Sequence, residues 1–311
     1  MISGILAGMM WAMETIVLGI AMAMTPFVSN EQAIALAPFV STFIHDFFSA
    51  IWSLAYNGIR GNLKNVIKAI HTRNGKSIIL AAVIGGPVGM TGYVLSINNM
   101  GASIGAMASA IYPAIGAVLA YFFLKEKMQW YRWIFLIMTL LGVYGLSYSP
   151  EINISNFWAG FAGTLMCAFG WGIEAVILAK SMQNSEITDE IALQIRQTTS
   201  SMIHGTIILP FMKGWGLTVS LFRETGWVIL LIALAALFAT ISYLFYYKAI
   251  KQIGASKAMA LNVSYAAWSM VFTVLLFRDF SVLNPITVSC GFVVLVCSIL
   301  SAADKKVIMR H

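Results

Sequence analysis

Charge is what this chain has least of. Only 10% of its 311 residues are Asp, Glu, Lys or Arg, against about a quarter in soluble domains. With 59% hydrophobic residues and a mean hydropathy of +0.83, nothing is left over for a separate soluble domain. Cysteine is scarce too. Cys167, Cys290 and Cys297 lie inside apolar runs without metal-ligand spacing, so they read as small packing residues. No nucleophile and no metal-ligand cluster is spaced for chemistry, so neither an enzyme, a metal nor a cofactor is expected. His45-Asp46 resembles part of a dyad, but neighbouring helix positions point about 100° apart and no nucleophile accompanies them. The net charge of +7 does not point to nucleic acid, because the basic residues fall between apolar runs rather than on one face. A cleavable leader is not expected, since the first apolar run already carries Trp11 and Glu14.

What the chain has is apolar runs of membrane-spanning length. Ten are marked: Ile2–Met24, Ala33–Tyr56, Ser77–Asn98, Ala102–Leu124, Trp130–Tyr148, Phe157–Met182, Ile187–Met212, Trp227–Ile250, Ala255–Phe277 and Val282–Ala302. Backbone polar groups must be satisfied within the bilayer, and the runs are too long and unalternating for barrel strands, so they read as helices. Fifteen of the nineteen Lys and Arg fall on one side of this arrangement and only Lys213, Arg223 and Arg278 on the other, with Arg196 alone inside a segment. That bias places both termini in the cytoplasm. Asn62 to His71 has apolar residues at 63, 66, 67 and 70 and reads as a helix lying on cytoplasmic headgroups. Trp215 to Phe222 reads similarly on the outer side.

The chain repeats itself. Gly101-Ala102-Ser103 recurs as Gly254-Ala255-Ser256, an offset of 153, and at that offset Tyr93 meets Tyr246, Tyr112 meets Tyr265, and Lys125-Glu126 meets Arg278-Asp279. A Trp-x-x-Glu pattern occurs at Trp11 to Glu14 and again at Trp171 to Glu174. Residues 1–148 and 149–311 therefore read as two five-helix repeats, and an odd helix number inverts the second. The expected fold is all-α, ten transmembrane helices as two inverted repeats. Inverted repeats around a midplane site characterise transporters that work by alternating access, although channels also carry them.

Two residue sets fall at membrane depth. Trp11, Tyr112, Trp171, Tyr243, Tyr246, Tyr265 and Trp268 lie within segments, whereas Trp130, Trp133, Trp158 and Trp227 fit an interfacial belt. The internal rings need partners for their N–H and O–H groups and suit a polar cavity; helix packing is the plainer alternative. Glu14, Asp46, Glu174 and Arg196 are intramembrane ionisable groups, which mark function by default. Their plainer alternative is an ion pair of Arg196 with Glu174 or Asp46. Pro87 and Pro113 break helical hydrogen bonding, and Gly105, Ala106 and Ala108 permit close helix approach. Aromatic faces attract cations by roughly 0.5–2 kcal/mol each, and a carboxylate supplies countercharge. A quaternary ammonium compound fits this set. An anionic substrate would ask for several cavity Lys or Arg, and only Arg196 is present.

The end of each half, in the first half Ala110-Ile111-Tyr112-Pro113 followed by Phe122-Phe123-Leu124-Lys125-Glu126-Lys127, resembles the drug/metabolite transporter superfamily of EamA-like proteins. Gly86-Pro87, Phe169-Gly170-Trp171-Gly172-Ile173-Glu174, Ile195-Arg196-Gln197, Tyr243-Leu244-Phe245-Tyr246-Tyr247 and Leu261-Asn262-Val263-Ser264-Tyr265 with Trp268 are more specifically similar to the bacterial choline importers. That resemblance implies proton-coupled choline uptake across a bacterial inner membrane. It implies a pocket of Trp11, Tyr112, Trp171, Tyr243, Tyr246 and Trp268, with Glu174 and Asn262 as polar members. Glu174 is the expected countercharge or proton site, and Asp46, Arg196 and Glu14 are coupling or gating candidates. Glu14 stands where the choline importers have a small residue. The expected partners are a small cation, protons and the bilayer, with a second copy of the chain as a further candidate. The alternatives are an exporter of aromatic amino acids or other metabolites, and a cation-selective channel; the latter lacks a ring of pore carboxylates.

Overall fold

The computed structural model describes residues 1–101, 110–148, 154–183 and 186–303, and it holds helices and no strand among them. In chain order these are α1 (Ile2–Met22), α2 (Glu31–Ile59), α3 (Leu63–His71), α4 (Arg73–Val83), α5 (Gly89–Met100), α6 (Tyr112–Leu124), α7 (Trp130–Ser147), α8 (Phe157–Met182), α9 (Asp189–Ile203), α10 (Leu209–Met212), α11 (Trp215–Glu224), α12 (Gly226–Ile253), α13 (Ala255–Asn262), α14 (Tyr265–Phe277) and α15 (Pro285–Ala302). Among the described residues eight helical spans are long and apolar enough to cross a membrane, against the ten expected. Asp189–Met212 and Trp215–Glu224 reach that length and hydropathy only together, and α11 bends by 110° away from α9 and α10. Of the fourth expected segment, only Tyr112–Leu124 is described. Gly105, Ala106 and Ala108 lie outside the described residues, as does the basic tail with Lys305, Lys306 and Arg310.

Helix ends follow local capping chemistry more than hydropathy. The Asn30 side chain accepts from Ala33 N, and that cap starts α2 at Glu31, two residues before its apolar run. Thr72 caps Gly75 N and starts α4 at Arg73, ahead of Ser77. Pro87 sits inside a π-helical turn, Ile84–Val88, that links α4 to α5 without ending the span. Its missing N–H is accommodated there. Pro113 instead occupies the first turn of α6, where a proline is no obstacle. On α3, Val66 and Ala69 pack inward while Leu63, Ile67 and Ile70 stay exposed beside Lys64 and Lys68.

The 153-residue offset recurs in the backbone. Gly101 has φ 84 and ψ 157, and Gly254 has φ 89 and ψ 162. Lys125 and Arg278 both end their helices in the left-handed region, at φ 56 and φ 52. Across the bundle α1 packs along α12, α5 along α8, α2 on α9 and α7 on α15. Glu126, just beyond α6, bonds the start of α13. Its carboxylate accepts from Ala255 N at 2.9 Å and from Ser256 N and Oγ at 3.1 and 2.7 Å, capping α13.

The α5–α8 contact is a close backbone approach. A Cβ at Gly163 would lie 2.6 Å from Gly92 O, and one at Gly92 would lie 2.6 Å from Gly163 O. Neither neighbour is a flexible side chain, so the helices are held apart by backbone alone, as small-residue membrane contacts require. Ser96 Oγ and Thr164 Oγ1 then share a hydrogen bond of 2.8 Å across the same seam. Gly163→Ala is expected to destabilise the protein by about 1–3 kcal/mol, the cost of overpacking. Thermal unfolding of the purified variant in detergent measures this.

Candidate functional site

A cavity of about 350 Å³ opens between the helices, at the small end of the roughly 300–1,000 Å³ typical of ligand pockets. Its walls come from helices spread along the chain, from α1 to the start of α14. α1 supplies Trp11 and Glu14, α2 supplies Thr42, His45 and Asp46, and the π-turn supplies Gly85 and Gly86. Met90 and Tyr93 come from α5, Tyr112 from α6, Trp171 and Glu174 from α8, and Arg196 from α9. α12 supplies Ser242, Tyr243, Tyr246 and Tyr247, and Asn262 and Tyr265 complete the lining.

The rings form two walls. Trp171 is flanked by Tyr93 and Tyr112, each at 5.7 Å between centroids, the latter edge-on at 90°. Opposite, Trp11 meets Tyr243 edge-on at 5.2 Å, and Tyr243 lies 6.0 Å from Tyr247. Edge-to-face packing locks the rings and leaves π faces available. Asn262 Nδ2 donates to Tyr112 Oη at 3.2 Å, while its Oδ1 is buried without a partner.

The polar half of the cavity centres on Arg196. Its Nε donates to Glu174 Oε1 at 2.9 Å, its Nη1 reaches Gln197 Oε1 at 2.5 Å, and Nη1 lies 3.7 Å from Asp46 Oδ1. The guanidinium carbon sits 4.9 Å from the centroid of Tyr243. Gln197 Nε2 continues to Ser49 Oγ, and Ser49 to Thr240 Oγ1 at 2.7 Å. Asp46 Oδ2 accepts from Ser200 Oγ at 2.6 Å, and His204 Nδ1 is 3.9 Å away. On the other side of Asp46, His45 Nδ1 is 3.1 Å from Oδ1, and His45 Nε2 is 3.6 Å from Glu14 Oε1. Glu14, Asp46 and Arg196 are all at most 5% exposed. The approach of α4–α5 to α8 is what admits Glu174 here: a Cβ on Gly85 would overlap its carboxylate.

Set against the sequence, the structure brings Trp11, Tyr112, Trp171, Glu174, Tyr243, Tyr246, Asn262, Tyr265, Glu14, Asp46 and Arg196 to one cavity. Trp268 is the exception and corrects the expected pocket. It is not among the lining residues; its ring stacks on Phe272 at 6.1 Å and its Nε1 has no partner. Three residues beyond Tyr265 on the same helix, it is turned about 60° off that residue's face. Glu174 lines the cavity with its carboxylate paired to Arg196, the ion pair weighed as the plainer alternative. His45 and Asp46 also do not diverge as adjacent helix residues were expected to, because both side chains reach back far enough to bond each other. The sequence reading missed His45, Tyr93 and Tyr247 as lining residues. Tyr93 carried a signal, its match to Tyr246 in the repeat; His45 and Tyr247 carried none beyond their neighbours. Among the described residues no group of His, Cys, Asp and Glu is arranged for a metal.

Removing one partner of a buried ion pair leaves the other uncompensated, at about 3–5 kcal/mol. Arg196→Met is therefore expected to destabilise the protein severely, and Glu174→Gln combined with Arg196→Met to recover part of the loss. Unfolding midpoints for the two single variants and the double variant check the coupling.

Comparison with known proteins agrees with this geometry. Residues 1–148 match the EamA-like transporter family. Over 210 residues the chain is 28% identical to Protein LicB of Haemophilus influenzae, spanning 67% of this chain and 68% of that one. Over 222 residues it is 19% identical to an S-adenosylmethionine uptake transporter of Rickettsia bellii, spanning 68% and 70%. A protein crystal structure superposes with a TM-score of 0.70 at 14% identity, covering 99% of this chain and 96% of the other, and so shares the fold.

Proposed function

We propose that this EamA-like chain, a multi-pass membrane transporter and not an enzyme, imports choline or a related quaternary ammonium compound by proton-coupled alternating access. The observation that carries the reading is a cavity that is aromatic and negatively charged at once. Glu14, Asp46 and Glu174 line it with three carboxylates against the single guanidinium of Arg196. An ammonium bearing methyl groups offers no N–H to hydrogen-bond, so ring faces and net charge are the means of holding it. Trp171 between Tyr93 and Tyr112 provides one such wall, and Trp11 with Tyr243 the other. The unpartnered Oδ1 of Asn262 suits the hydroxyl donor of choline. The resemblance of the sequence to choline importers supports the same class. S-adenosylmethionine, the substrate in the name of the Rickettsia relative, is itself an onium cation.

In this reading the halves 1–148 and 149–311 are inverted repeats that rock about the cavity, with the termini on the cytoplasmic side of a bacterial inner membrane. The matching backbone angles at Gly101 and Gly254 and at Lys125 and Arg278 support the repeat. A zwitterionic aromatic amino acid would bring its carboxylate to a wall already in negative surplus, which argues against that cargo.

Labelled choline is expected to bind the purified protein saturably, and Trp171→Ala to weaken it about tenfold, the size of one strong cation–π contact. Choline is expected to drive counterflow in proteoliposomes where labelled aromatic amino acids do not. No choline binding by the intact protein would overturn the substrate, and unchanged affinity in Trp171→Ala would overturn the role of that ring.

A further inference from the structure

The charge count leaves a second positive charge to be found. With both nearby imidazoles neutral, three carboxylates and one guanidinium give the cavity wall two uncompensated negative charges. A monovalent cationic substrate answers one of them. Glu174 is hydrogen-bonded to Arg196, and Asp46 faces Arg196, Ser200 and His45. Glu14 is the least supported. Its side-chain donor is Thr15 Oγ1 at 3.2 Å, and that hydroxyl lies nearer, at 2.9 Å, to Trp11 O. One hydroxyl proton cannot serve both acceptors.

His45 stands beside it with the complementary deficiency. A carboxylate only accepts, so Nδ1 must carry the hydrogen it shares with Asp46 Oδ1. In the neutral ring Nε2 is then a bare acceptor. It is buried, has no hydrogen-bond partner, and faces the Glu14 carboxylate at 3.6 Å. Two acceptors confront each other across a gap that one proton converts into a hydrogen bond. Asp46 on the far side fixes the ring so that this nitrogen stays aimed at Glu14.

We propose that the Glu14–His45 pair is the proton-binding site of this transporter, loaded from the substrate cavity and positioned by Asp46. The proposal rests on the reading of the chain as a proton-coupled cation carrier. The proton binds Nε2 or Glu14 Oε1 and is shared between them, and no covalent bond other than that N–H or O–H forms or breaks. The other charged and titratable groups around the pair are Arg196 and His204, 3.7 and 3.9 Å from Asp46, with Glu174 and Tyr93, Tyr112, Tyr243, Tyr246, Tyr247 and Tyr265 lining the same cavity. His204 does not take this role: it is 0% exposed, does not line the cavity, and its Nδ1 lies 3.0 Å from Ser200 O. One substrate cation and one proton together bring the wall to formal neutrality, the state in which a charged cavity moves most readily across the apolar midplane.

Two measurements test the assignment. In the first, side-chain ¹⁵N spectra of histidine-labelled protein in detergent are followed from pH 5 to 9 without substrate, with His45 identified by its loss in His45→Gln. The His45 Nε2 signal is expected to titrate, and its midpoint to be displaced by about one pH unit in Glu14→Gln but not in His71→Gln on the exposed surface helix. A His45 signal fixed across this range, or unmoved by Glu14→Gln, overturns the proposal. The second is choline accumulation in proteoliposomes, taken as the ratio with and without an inward proton gradient. The ratio is expected to exceed one in the intact protein and to fall to one in His45→Gln and His45→Asn, whatever their absolute rates. A His45 variant that keeps the intact ratio overturns the proposal. If the intact protein moves no choline, the substrate reading fails alone, and the spectra still decide the proton site.

Discussion

A guanidinium buried among apolar helices must find its counter-charges inside the protein, and much of this cavity is arranged to satisfy that need. Arg196 reaches Glu174 on α8, Gln197 on its own helix and Asp46 on α2, and it lies over the ring of Tyr243 on α12. Four helices are thereby tied to one side chain. Each of these contacts is individually modest in water, but at membrane depth the alternative for every partner is an unpaired charge. The arrangement also explains the glycines of the π-turn. Glu174 reaches Arg196 through space that any side chain at Gly85 would fill, so the backbone of one half is shaped around the ion pair of the other.

The ion pair and the aromatic walls divide the work. Arg196 neutralises one negative charge and leaves Glu14 and His45 facing each other in the wall of the same cavity. Trp171 is held by Tyr112 edge-on and by Tyr93 at a tilt of 38°, and these contacts need no charge to stay in place. Glu126 closes the opposite kind of contact, a carboxylate on backbone N–H groups at a helix start. It ties the end of α6 to the start of α13, and Glu126 is not among the residues that line the cavity.

Much of this was legible in one dimension because the bilayer simplifies the problem. Apolar length fixes the spans, and a charge inside a span is conspicuous, so Glu14, Asp46, Glu174 and Arg196 stood out before any coordinate was known. The repeat announced Tyr93, Tyr112, Tyr246 and Tyr265 by their common offset. Helix starts were less legible, since Asn30 and Thr72 set them by side-chain caps that hydropathy does not register. Trp268 was misjudged for a related reason. Its type and depth match the other rings, but rotation about α14 carries it away from the cavity, and one residue's azimuth depends on how its helix is seated.

The sequence by itself determined the all-helical membrane-spanning class and which charges fall inside apolar runs, because these follow from local chemistry in an apolar solvent. Only the tertiary structure decided which charges meet. The sequence left Arg196 a choice between Glu174 and Asp46, and the structure bonds it to Glu174; Glu14 looked anomalous and is the one left facing an imidazole. Pairing depends on distances of a few ångströms between helices far apart in the chain, set by glycine contacts such as Gly92 with Gly163. No spacing along a single strand of sequence contains that information.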